Sequence, residues 1–191
     1  MTNKQVKPGT ISDILHLANP IFITIVICLP IGTLIYAINF GPLVILNYVH
    51  IMTGTPWTGI DLFMGFVLGP VLGGMEPKDR AGVFKRLIPR MTFLMPVLAT
   101  VAITSGIILA QRIGYSLTSP WVLAALIIAG LLTLQGFGLL LPNEIRIFRQ
   151  LLSETPDTER IARLGMMNAK LNGLQGVFQL TIIFIMAYIR F

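Results

Sequence analysis

The chain has 191 residues, of which 54% are hydrophobic and 12% charged, with a mean hydropathy of +0.81. Soluble domains average about 25% charged residues, so water is excluded as the solvent for most of the surface, and a membrane takes its place. Fourteen Lys and Arg face eight Asp and Glu, but the excess lies in the connections between apolar runs, a topology signal rather than a nucleic-acid-binding tract; Cys28 is the only cysteine, which excludes an internal disulfide and a cysteine metal cluster.

Residues 1–20 are mostly polar and open with Lys4, Lys7, Pro8 and Gly9. Thr10 or Ser12 then caps a short amphipathic helix carrying Ile11, Ile14, Leu15 and Leu17, expected to lie on the membrane surface. The first apolar run is too long for a signal-peptide core and lacks a small-residue cleavage site, so it is expected to be retained. It forms a first span over about 21–40, and at about 1.5 Å per residue it matches a hydrocarbon layer of about 30 Å. Pro30 is expected to kink it.

After a Gly41-Pro42 turn, a second run occupies about 44–74. As straight helix it measures about 45 Å, so it must tilt, protrude or break, and Thr53-Gly54-Thr55-Pro56 is the weak point. Residues 76–90 then form the most basic loop, with Lys78, Arg80, Lys85, Arg86 and Arg90 against Glu76 and Asp79. A third span over about 91–111 is closed by Arg112, and a nearly uncharged link leads to a fourth over about 120–142, with Trp121 at an interfacial position. In the charged connection 143–170, apolar residues recur at helical spacing on both sides of Thr155-Pro156-Asp157, which predicts two short surface helices with a turn between them. The last span covers about 171–190.

These elements define an all-α, polytopic membrane helix bundle of five spans in a single domain, 1–191. Positive charge in the short connections places the N-terminus, 76–90 and 143–170 on one side. The expected location is therefore a bacterial inner membrane, with the N-terminus cytoplasmic and the C-terminus external.

Two constellations stand out within the spans. On the last one, Asn168, Asn172, Gln175 and Gln179 step by four, three and four residues, which puts all four on one helical face. Asp61 falls near the same midplane on the second span, with Gln135 on the fourth and Thr104 and Ser105 on the third within about two turns of it. The pattern predicts a polar seam in the inner half of the bundle. It serves either as interhelical glue or as a half-channel in which Asp61 binds a proton or cation. Gly65, Gly69 and Gly73 repeat every fourth residue and predict a close helix approach, with the second and last spans at the centre. Trp57 and Gly59 are expected to pack beside such a contact.

His50, nearer the external surface, is a candidate haem or metal ligand. Met186 lies at a comparable depth and would supply a second axial ligand, whereas His16 is on the wrong side to do so. The metal is unknown, and haem b is the cofactor considered. The nine methionines are scattered and offer no soft-ligand relay. No phosphate loop, nucleophile elbow or zinc-protease pattern is present, so no enzymatic activity is expected.

His50, then Trp57-Thr58-Gly59, then Lys85-Arg86-Leu87-Ile88-Pro89-Arg90 and Ile103-Thr104-Ser105-Gly106 give the stretch 45–110 a pattern that resembles small bacterial CopD-like integral membrane proteins. That resemblance implies a helical membrane bundle, with copper import or haem binding proposed for parts of the group. This chain departs from it by having no further His in its spans. The leading expectation is a non-catalytic subunit or anchor of a larger, redox membrane assembly, with membrane lipid and other membrane subunits as partners and no nucleic acid. From a different class comes a small transporter or haem-binding electron carrier that uses Asp61 or His50.

Overall fold

The computed structural model describes residues 11–190, with side chains from 15 to 188. The Lys4 to Gly9 segment and the Thr10 cap lie outside the described residues, as do the side chains of Ile11, Ser12 and Ile14. Six helices follow one another: α1 (Ile11–Ala18), α2 (Pro20–Asn39), α3 (Leu43–Gly73), α4 (Pro77–Arg112), α5 (Pro120–Leu151) and α6 (Thr158–Arg190). Among the described residues there is no strand. Helices α2 to α6 are each long and apolar enough to cross a membrane, so the chain is an all-α, multi-pass membrane bundle.

The helix starts are legible in local chemistry. Asn19 caps α2, its side-chain oxygen accepting from the Ile21 backbone N–H at 3.0 Å, and Pro20, Pro77 and Pro120 each occupy a first turn, where a missing N–H costs nothing. Two ends are closed by arginine. The Arg112 guanidinium donates to the carbonyls of Ala37 and Ile38 at the end of α2. Arg80 donates to Leu72 at 2.8 Å, Gly73 at 3.1 Å and Met75 at 2.8 Å, closing α3.

Two boundaries differ from the sequence expectation, and the weak point of α3, left open there, is continuous helix. The basic stretch 76–90 is helix, not loop: it forms the first turns of α4, because Ala81, Phe84 and Ile88 recur at helical spacing and pack on Ile147, Ile161 and Ala162. The two surface helices of 143–170 are real, but the first is the end of α5 and the second is the start of α6. Only residues 152–157 turn between them, where the Asp157 carboxylate accepts from the Arg160 N–H at 2.9 Å. Lastly, α3 runs unbroken through Pro56, with the Thr53 hydroxyl donating to the Val49 carbonyl at 2.8 Å.

The irregularity in α3 comes instead at Phe63–Leu68, a π turn, and a second π turn occupies Gly136–Leu140 of α5. Each ends just before a proline. The Gly69 N–H reaches back to Met64 and the Leu141 N–H to Gly136, five residues in each case, and Pro70 and Pro142 follow. A proline clashes with the carbonyl four residues earlier, here Phe66 and Gly138, and widening the turn moves that carbonyl aside. Pro30, Pro56, Pro89 and Pro96 sit inside helices with no π turn leading into them. Proline alone therefore does not suffice, and the glycines at 65, 69, 136 and 138 mark the two places where the backbone gives way.

The most extensive packing joins α3 to α6, and α4 lies against both, with α2 outside on α4 and α5 outside on α6. The centre is thus shared by three helices rather than two. The α3–α6 crossing is backbone on backbone. A Cβ on Gly65 would stand 2.1 Å from the Gly173 Cα, and Gly176 lies under the Leu62 side chain. A Cβ on Gly69 would stand 3.8 Å from the Ala169 Cβ, and one on Gly73 would meet only the Met166 tip, so the helices diverge along the glycine row. Gly59 faces open space and makes no close contact. Trp57 is buried in an apolar cluster with Leu98, Ala102 and Leu132.

Candidate functional site

The α6 stripe lies on the buried side of its helix: Asn168, Asn172, Gln175 and Gln179 are all buried, although amides desolvated in hydrocarbon are costly unless bonded. Partners come from α5 and α3. At the charged end, the Asn143 amide donates to Asn168 Oδ1 at 2.9 Å while Arg146 donates to Asn143 Oδ1 at 3.1 Å. The Asn168 amide in turn donates to the Leu140 carbonyl at 3.3 Å, and Gln175 donates to the Leu132 carbonyl at 3.0 Å. Gln135 reaches across in the other direction, to the Leu171 carbonyl at 2.8 Å. Leu140 is the last residue of the π turn of α5, and Leu132, four residues before that turn, also accepts from the Gly136 N–H.

Asp61 stands at the inner end of this row. It is fully buried, and Gln179 Nε2 donates to its Oδ2 at 2.8 Å. The other two oxygens of the pair, Asp61 Oδ1 and Gln179 Oε1, are buried with no hydrogen-bond partner. Both can only accept while the carboxylate is ionised, so the pair lacks hydrogen, not oxygen. A proton on Asp61 converts it into a donor and removes the charge that hydrocarbon penalises. The π turn of α3 begins two residues after Asp61, and that of α5 begins one residue after Gln135.

Beyond Asp61 the polar groups continue along α3 toward the other end. Thr58 and Thr53 are buried, and His50 is eleven residues back, three helical turns on the same face. His50 Nδ1 is 2.9 Å from the Ala102 carbonyl and 3.3 Å from the Ser105 hydroxyl. A carbonyl only accepts, so Nδ1 carries the hydrogen, and in the neutral ring Nε2 is left as an acceptor. Gly106 makes room for the ring, since a Cβ there would be 2.8 Å from His50 Cε1. Ser105, expected beside Asp61, thus belongs to the His50 end. The Asn143 contribution was not anticipated at all; its only sequence signal is an amide directly after Pro142.

His50 and Met186 do meet, with Nε2 3.3 Å from the thioether sulfur. Even at the lengths that zinc makes to nitrogen and sulfur, about 2.0 and 2.3 Å, a metal in line between them needs about 4.3 Å. At this separation the pair does not fit an axially held haem. Among the described residues no three His, Cys, Asp or Glu side chains are grouped to hold a metal ion.

Fold and site together define a multi-pass, all-α membrane protein with a polar column through its core. Comparison with protein-family models, characterised proteins and solved structures finds no match. The functional reading therefore rests on the column itself.

Proposed function

We propose that the chain is a small multi-pass transporter of a bacterial cytoplasmic membrane, N-terminus inside, which moves protons through Asp61. The observation that carries this reading is the fully buried Asp61–Gln179 pair with two oxygens that lack a donor. The amides of Asn143, Asn168, Gln135 and Gln175 line the approach from the charged end, and Thr58, Thr53 and His50 line the departure. Two free oxygens fall well short of the six or more that hard metal cations gather, so a proton fits better than a cation. Within the proposal, the stretch 45–110 that resembles CopD-like proteins supplies both Asp61 and His50.

A non-catalytic subunit of a redox assembly would need a face kept for a partner. Gly65 and Gly69, the residues best suited to such a face, are taken up by α6 of the same chain. That favours the transporter. In proteoliposomes with a trapped pH-sensitive dye and an imposed pH gradient, wild-type protein is expected to conduct protons and Asp61→Asn to abolish the flux while eluting as the same monodisperse species. Flux in Asp61→Asn equal to wild type would overturn the proposal.

A further inference from the structure

At its charged end the molecule carries a groove of about 560 Å³ between the start of α4 and the first turns of α6. Arg80, Arg160, Arg163 and Lys170 line it together with Asp157 and Glu159, and Met166 and Met167 add apolar surface. Four cations face two carboxylates, and one of those carboxylates is already engaged as the α6 cap. Among the described residues the side chains of Arg160, Arg163 and Lys170 have no hydrogen-bond or ion-pair partner. Clustered, uncompensated cations of this kind repel one another, and an anion relieves the repulsion.

The positions of these cations say which anion. Arg160, Arg163, Met167, Lys170, Leu174, Val177, Thr181 and Phe184 step by three and four along α6 and are all exposed, so one face of one helix passes without interruption from basic to apolar. Lys170 stands where the apolar span begins. From there to Phe184 the strip runs about 21 Å, more than the roughly 15 Å depth of one leaflet. A soluble anion would use only the upper part. An amphiphile with a phosphate head and acyl tails would cover all of it.

We infer that the groove between α4 and α6 is a binding site for an anionic phospholipid, its head group drawn to the cations Arg160, Arg163 and Lys170 and its tails laid along Leu174, Val177 and Phe184. The site is on the outward side of α6, opposite the buried amides, and is independent of the proton reading.

Native mass spectrometry of the full chain in detergent, titrated with phosphatidylglycerol, cardiolipin or phosphatidylcholine, tests the inference. Wild-type protein is expected to retain the anionic lipids at about tenfold lower concentration than phosphatidylcholine, and inorganic phosphate at equal concentration is not expected to displace them. Arg160→Gln/Arg163→Gln/Lys170→Gln should lose that preference, whereas Lys85→Gln/Arg86→Gln/Arg90→Gln, which removes as much charge elsewhere on α4, should keep it. The conservative Arg160→Lys/Arg163→Lys pair should also keep it and shows that charge, not folding, is read. Equal retention of the three lipids by wild type, an unchanged preference in the triple variant of α6, or displacement by free phosphate would each overturn the assignment.

Discussion

Asp61 depends on one amide, and the strength of that dependence is measurable. Gln179→Leu removes the sole donor to a buried carboxylate, which costs about 1–3 kcal/mol and should lower the thermal midpoint in detergent. Asp61→Leu combined with Gln179→Leu should recover part of the loss, because no unpartnered polar atom then remains. A double variant no more stable than Gln179→Leu alone would show that the two residues do not act as a pair. The α6 members of the column were readable from spacing, since offsets of four, three and four admit only one face of a helix. Asn143 was not, because it follows Pro142 in what reads as a charged connection, and nothing in the apolar count extends α5 through it. Ser105 was misplaced for a related reason. The apolar run does not say where α4 begins, which is fourteen residues earlier, at Pro77.

At the scale of elements, hydropathy finds where a helix is greasy and not where it ends. Helices α4, α5 and α6 each continue beyond the apolar layer as amphipathic turns whose inner faces share one cluster around Phe84, Ile88, Ile147 and Ile161. The glycine row was legible as a contact, but its partner was not, since Gly173 and Gly176 stand among amides rather than in a glycine repeat. Gly65→Ala should cost about 1–3 kcal/mol by overpacking, because the added methyl meets backbone that cannot rotate away. Gly59→Ala, facing open space on the same helix, should leave the midpoint unchanged or raise it by up to about 1 kcal/mol in stability. Thermal unfolding of the two variants side by side checks both expectations.

For the whole molecule, five crossings put the links at 74–76 and 113–119 on opposite sides of the membrane, and the proposed topology has the first in the cytoplasm. In a Cys28→Ser background, Lys78→Cys should react with a membrane-impermeant maleimide only in inverted vesicles, and Ser116→Cys only in intact cells. The opposite labelling pattern would invert the topology. The meeting of Gly65 with Gly173 bears on how such a body can move. With no side chain between the two backbones, that spot is a fulcrum, and any rocking of α3 over α6 turns about it. Asp61 is four residues from the pivot, about 6 Å, and His50 fifteen, about 22 Å. The same tilt therefore sweeps His50 through an arc nearly four times that at the acid, so the far end of α3 can travel while the bond to Gln179 is barely stretched.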